Sequence, residues 1–220
     1  MVQSITPLPV RTEQRRGASI PCLRAMLGFI NFKFIIAIVA TSLTVIGYIP
    51  YFRNIFQKKT KPHLYTWLIW GITQGTATVA LLHGGGKFGS FSLIIGTILV
   101  LFVFLLSFKY GTRDITTSDK LVLALALLAI LIWWQLDSPL IAVLMVSAID
   151  AIGYIPTIRK SLKDPWSETL FFWVIMAIVD LLTIIANAKY NLLTVAYLST
   201  LFAANAIVII SIYFSRKKIK

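Results

Sequence analysis

The sequence predicts an all-α membrane protein: seven transmembrane helices, arranged as two parallel three-helix bundles joined by a linker helix (3+1+3). Three observations predict it. Mean hydropathy is +0.83 and 58% of the residues are hydrophobic, well above the apolar share of ordinary soluble domains. The charges cluster between apolar stretches of membrane-spanning length. The octapeptide Ile46-Gly47-Tyr48-Ile49-Pro50-Tyr51-Phe52-Arg53 also returns 106 positions later as Ile152-Gly153-Tyr154-Ile155-Pro156-Thr157-Ile158-Arg159.

The apolar segments run, in order, over about 32–52, 64–82, 89–108, 120–137, 139–158, 168–187 and 191–214. A spanning helix needs about 20 residues at 1.5 Å each. Helices are required because lipid offers no partner for a free backbone amide. The fourth segment is the weakest, because its Leu/Ala-rich run also suits a tilted packing helix.

The repeat divides the chain. Past the octapeptide the register holds without a gap, placing Trp67 on Trp173, Ile69 on Ile175, Ile72 on Ile178 and Ala80 on Ala186. A fixed spacing of this kind points to internal duplication. An N-terminal tail (1–31) precedes a first three-helix repeat (32–108). A linker helix (109–138), a second repeat (139–214) and a basic tail (215–220) follow. The odd linker crossing lets both copies point the same way across the bilayer, related by an axis along the membrane normal.

A net charge of +13 would suggest nucleic acid in a soluble protein. Here the basic residues sit at helix ends, where they set orientation and meet anionic headgroups, so no nucleic-acid partner is expected. Fourteen of them fall on one side: Arg53, Lys58, Lys59 and Lys61; Lys109, Arg113 and Lys120; Arg159, Lys160 and Lys163; and Arg216, Lys217, Lys218 and Lys220. That side is cytoplasmic by the positive-inside rule, which puts the C-terminus inside and the N-terminus outside. A plasma membrane or bacterial inner membrane fits. Arg11, Arg15, Arg16 and Arg24 in the tail oppose this: either they are outvoted, or translation begins at Met26. N-terminal sequencing separates the two.

Two parallel three-helix units with a single linker resemble the SWEET and PQ-loop superfamily of small-solute transporters. The residues that carry the resemblance are Gly47-Tyr48-Ile49-Pro50 and Gly153-Tyr154-Ile155-Pro156, each followed by an arginine, a basic loop and a Trp-containing helix. It covers about residues 32–214. The chain departs from the family pattern in having Tyr51 and Thr157 where the PQ-loop signature has Gln. Pro62 and Pro165 lie in loops, not inside the second helix of each unit. The resemblance implies transport by alternating access. It also implies that Asn205, in the last helix, contacts substrate; Leu99 stands at the matching position of the first unit.

Asp150 and Asp180 lie near the middle of predicted helices, where an ionised carboxylate costs about 2.5–3.5 kcal/mol or more. Such groups face a bundle interior or cavity. At the repeat offset Asp150 corresponds to Thr44 and Asp180 to Gln74, so four hydrogen-bonding positions converge on one predicted midplane site. Tyr48 and Tyr154 follow Thr44 and Asp150 by four residues, on the same helix face. The alternative for these polar groups is interhelical glue. The carboxylates could hold a cationic solute, or one could carry a proton and couple transport to it.

Pro50 and Pro156 are each expected to end an apolar helix, removing one backbone hydrogen bond, and Gly47 and Gly153, three residues earlier, add local freedom. Together they form a candidate hinge; the alternative is a helix terminus kept by descent. Trp67 and Trp173 suit an interfacial aromatic belt or a gate over the site. Trp133 and Trp134 suit an outer anchor.

Cys22 is the only cysteine, which excludes internal disulfides and Cys-based metal sites. His63 and His83 form no metal-ligand spacing. No catalytic or phosphate-binding motif occurs, so neither an enzyme nor a cofactor is expected. The expected partners are the lipid bilayer and a small-molecule substrate, and an oligomer is compatible with the chain. The expected function is transport of a small polar solute (sugar, amino acid or similar). A non-transporting membrane scaffold or accessory subunit is the alternative.

Overall fold

The computed structural model describes residues 19–58, 62, 64–111, 117–136, 138–154, 158, 161–162, 165–166 and 170–218. Among these residues there are seven α-helices, one short 3-10 turn and no strand. The helices are α1 (Ser19–Phe56), α2 (Leu64–His83), α3 (Ser90–Tyr110), α4 (Thr117–Leu136), α5 (Pro139–Gly153), α6 (Leu170–Ala186) and α7 (Leu192–Lys218); the 3-10 turn, Lys87–Gly89, leads into α3. The chain divides into two compact units, Met1–Phe32 and Lys33–Lys220. The first contributes the opening turns of α1.

Local chemistry sets the helix ends. Pro139 opens α5, where its missing N–H costs nothing and its fixed φ suits the first turn. Asn191 caps α7 reciprocally: its Oδ1 accepts from the Thr194 N–H at 3.1 Å, while Thr194 Oγ1 accepts from the Asn191 N–H at 3.0 Å. Arg216, Lys217 and Lys218 occupy the last turn of α7, where cations favour the negative end of the helix dipole. The α2–α3 turn uses Gly85 at φ +86°, a conformation that suits glycine.

Three spans are long and apolar enough to cross a membrane: Phe32–Phe56, Lys87–Tyr110 and Leu192–Lys218. Lys120–Leu136, Pro139–Gly153 and Leu170–Ala186 are apolar but shorter. Among the described residues, spanning length is thus reached in three of the seven predicted segments. Helix α5 has 15 residues, about 22 Å at the helical rise, and it closes where the Tyr154 N–H is shared between the carbonyls of Asp150 and Ala151. A correction concerns Pro50. It was expected to end its helix, yet α1 runs on to Phe56 with Pro50 inside it, so the lost hydrogen bond falls within a continuing helix. Pro156 lies outside the described residues.

Burial runs opposite to that of a soluble protein. Large apolar side chains such as Ile49, Ile98, Leu105, Leu121 and Leu131 point outward. The interior holds Ala, Val and many polar groups, among them Thr44, Thr73, Ser92, Asp150, Asp180 and Asn205. An apolar exterior on this scale suits a lipid solvent.

Helix α2 packs against α3, α4, α5 and α7, and α6 packs most extensively against α7. One core cluster joins Tyr48, Ile55, Trp67, Val100 and Val103 of α1 to α3. A second joins Tyr154 and Trp173 to Ala204, Val208 and Ile212 of α7. Helix α4 rests on α2 and α5 through Ala126, Ile69 and Ile149. Trp133 packs partly onto the neighbouring core, whereas Trp134 is 78% exposed.

Candidate functional site

All nine residues expected to line or gate a central site border one cavity within the second unit. Thr44 and Tyr48 come from α1, Trp67 and Gln74 from α2, Asp150 from α5 with Tyr154 just beyond it, Trp173 and Asp180 from α6, and Asn205 from α7. The cavity holds about 730 Å³ of empty space, its open part included. The positions that match at the 106-residue offset, Thr44 with Asp150 and Gln74 with Asp180, meet there.

Both carboxylates are buried. The Tyr197 hydroxyl donates to Asp150 Oδ2 at 2.5 Å, and Oδ1 has no hydrogen-bond partner among the described residues. The Asp180 carboxylate heads a short chain. Asn205 Nδ2 donates to Asp180 Oδ2 at 2.8 Å, and Asn205 Oδ1 accepts from the Tyr154 hydroxyl at 3.2 Å. An acceptor on one side of the Asn205 amide and a donor on the other fix which way it points.

The other hydroxyls are largely committed. Thr44 donates to the Ala40 carbonyl at 2.9 Å, Thr73 to that of Ile69 at 3.1 Å, and Thr76 to that of Ile72 at 2.8 Å. Ser92 of α3 and Thr183 of α6 pair with each other at 2.5 Å. Gln74 extends towards Gly96 of α3, where an added Cβ would collide with its amide nitrogen, so the glycine makes room for the polar side chain.

Six aromatic side chains bordering the cavity form a closed circuit. Ring centroids lie 5.3 Å apart for Phe172–Trp173, 5.8 Å for Trp173–Tyr154 and 6.4 Å for Tyr154–Trp70. They lie 5.2 Å apart for Trp70–Trp67, 6.5 Å for Trp67–Tyr48 and 5.9 Å for Tyr48–Phe172. Trp67 and Trp173 are 4% and 7% exposed, so they do not sit in a headgroup belt. They are walls of the cavity, near the ends of α2 and α6 that adjoin the basic loops.

Compared with protein-family models, curated proteins and solved structures, the chain matches none.

The glycines of the repeated motif are not equivalent. A Cβ on Gly47 would collide with Met176 of α6, whereas one on Gly153 would meet only Trp70 Nε1 at 3.5 Å, an ordinary contact. Gly47 is therefore a site of close helix approach. Among the residues that sequence reasoning missed, Tyr197 matters most, because it holds Asp150. It lies at i−8 and Leu201 at i−4 from Asn205, a helical stripe that could have flagged it. Thr183 is similarly three residues past Asp180. Trp70 and Phe172 carried no usable signal, since aromatic residues are common on lipid-facing and core faces alike.

Proposed function

We propose that this chain is a multi-pass membrane transporter of the SWEET/PQ-loop kind, moving a small polar solute by alternating access. The observation that carries it is the single cavity: buried carboxylates, an amide and hydroxyl groups from five helices border one space in an otherwise apolar bundle. Intramembrane carboxylates are expensive and mark solute or ion pathways. Polar glue alone would leave no space between such groups.

In this proposal seven crossings form a 3+1+3 arrangement, α1–α3 and α5–α7 being the two units and α4 the linker. Asp150, Asp180, Gln74, Thr44 and Asn205 contact the solute, and one carboxylate carries a coupling proton. The aromatic circuit closes the cavity towards the basic, cytoplasmic side. Pro50, inside α1, is the point about which the first unit bends, because the carbonyl of Ile46 loses its amide partner there.

The test is counterflow in proteoliposomes carrying purified protein, with a panel of labelled sugars, amino acids and amines. Saturable uptake of at least one compound above protein-free vesicles is expected. Uptake of none would leave the scaffold alternative. Orientation is checked separately in cells: in a Cys22→Ser background, Lys220→Cys should react with an impermeant maleimide only after permeabilisation. Labelling in intact cells would reverse the topology.

A further inference from the structure

Resting on the transport reading above, we propose that the solute is a small alkylated ammonium ion carrying no carboxylate of its own. Three features of the cavity lead there.

The first is charge. Asp150 and Asp180 both border the cavity, and among the described residues its lining contains no Lys, Arg or His. The side chains set against them are neutral, Tyr197 and Thr73 at Asp150 and Asn205 at Asp180. Carboxylates withdrawn from water without a counter-charge are costly, and Asp150 Oδ1 is buried with no hydrogen-bond partner among the described residues. A cation in the cavity answers both.

The second is the aromatic circuit. Six rings, three of them tryptophan, border the same space. Aromatic faces attract ammonium groups, tryptophan most strongly, and methylated ammonium ions are the characteristic occupants of aromatic cages.

The third is what the cavity lacks. A sugar would need many free donors and acceptors, yet the Thr44 hydroxyl donates to a backbone carbonyl and Ser92 pairs with Thr183. A zwitterionic amino acid would bring a carboxylate to two others, with no cation among the described lining residues to receive it. Buried polar groups left unpaired by a solute weaken its binding. An ammonium ion with alkyl substituents asks only for negative charge and aromatic surface.

The experiment uses the full chain in detergent and the fluorescence of its tryptophans, three of which border the cavity. The probes are choline and its uncharged carbon isostere 3,3-dimethylbutan-1-ol, with glucose and alanine alongside. Choline should give a saturable change, with the isostere about tenfold weaker or more, and Asp180→Asn should abolish the choline response. Equal binding of isostere and choline, saturation by glucose or alanine instead, or no saturation by any probe would each overturn the ammonium assignment. The wild-type comparison stands even where a variant fails to fold. The transport reading fails separately: choline that binds but never crosses in proteoliposomes keeps the ammonium site and removes the transporter. Flux of a different solute without choline binding does the reverse.

Discussion

Asp180→Asn is expected to reduce solute flux by about 10- to 150-fold, the equivalent of losing a hydrogen bond or contact to a charged group, while membrane insertion and expression stay intact. The amide keeps the size of the carboxylate and can still accept from Asn205 Nδ2, which lies 2.8 Å from Oδ2 in the wild type. What disappears is the charge. Asp150→Asn should behave alike, since its carboxylate faces the same cavity and is held by Tyr197. Tyr197→Phe provides the graded comparison. It removes one neutral donor, leaves the charge, and should cost only several-fold. Initial rates in proteoliposomes, normalised to reconstituted protein, measure all three. Wild-type rates in both Asn variants would end the carboxylate mechanism, and a Tyr197→Phe loss as large as theirs would reassign the effect to folding.

Gly89→Ala should be strongly damaging for a single added methyl. Gly89 is buried at the start of α3, and an added Cβ would occupy the space of the Asn187 side chain while lying 2.9 Å from its backbone nitrogen. Asn187 cannot retreat easily. Its Nδ2 donates to the Thr194 carbonyl at 2.9 Å and its own carbonyl accepts from Lys33 Nζ. The two turns are tied again beside it, where the Ala188 N–H donates to the Gly86 carbonyl at 3.1 Å and Asn191 Nδ2 to that of Gly84 at 2.9 Å. Overpacking of this kind costs about 1–3 kcal/mol, which should lower the thermal midpoint in detergent by several degrees. Gly75→Ala is the control, because its Cβ would meet only Thr97 Cγ2 at 3.9 Å and a mid-helix glycine is helix-weakening. It should be neutral or stabilising. Equal midpoints for Gly89→Ala and wild type would show that the turns separate freely.

Much of the fold was legible because helices in an apolar chain announce themselves by composition. Segments 64–82 and 89–108 fall within a few residues of α2 and α3, and 191–214 likewise of α7. The misses came where tertiary contacts outweighed local preference. Proline ends helices on average, yet α1 passes through Pro50, with Tyr48 and Phe52 on either side of it packed ring to ring at 5.9 Å. The octapeptide that reads alike in both copies also behaves differently in each: α1 continues through it, while α5 stops at Gly153.

The sequence by itself determined where the polar groups fall along each helix, because a carboxylate in an apolar stretch is visible as a letter and its depth follows from helical rise. It also paired Thr44 with Asp150 and Gln74 with Asp180 through a spacing that needs no coordinates. Only the tertiary structure decided what those groups touch. Tyr197 as the partner of Asp150, the Asp180–Asn205–Tyr154 chain and the aromatic circuit depend on how helices rotate and approach one another. That rotation is set by packing across the bundle, by contacts such as Gly47 against Met176, and no local pattern encodes it. So both copies of the repeated motif marked the aromatic wall of the site through Tyr48 and Tyr154, and the packing around them supplied its chemistry.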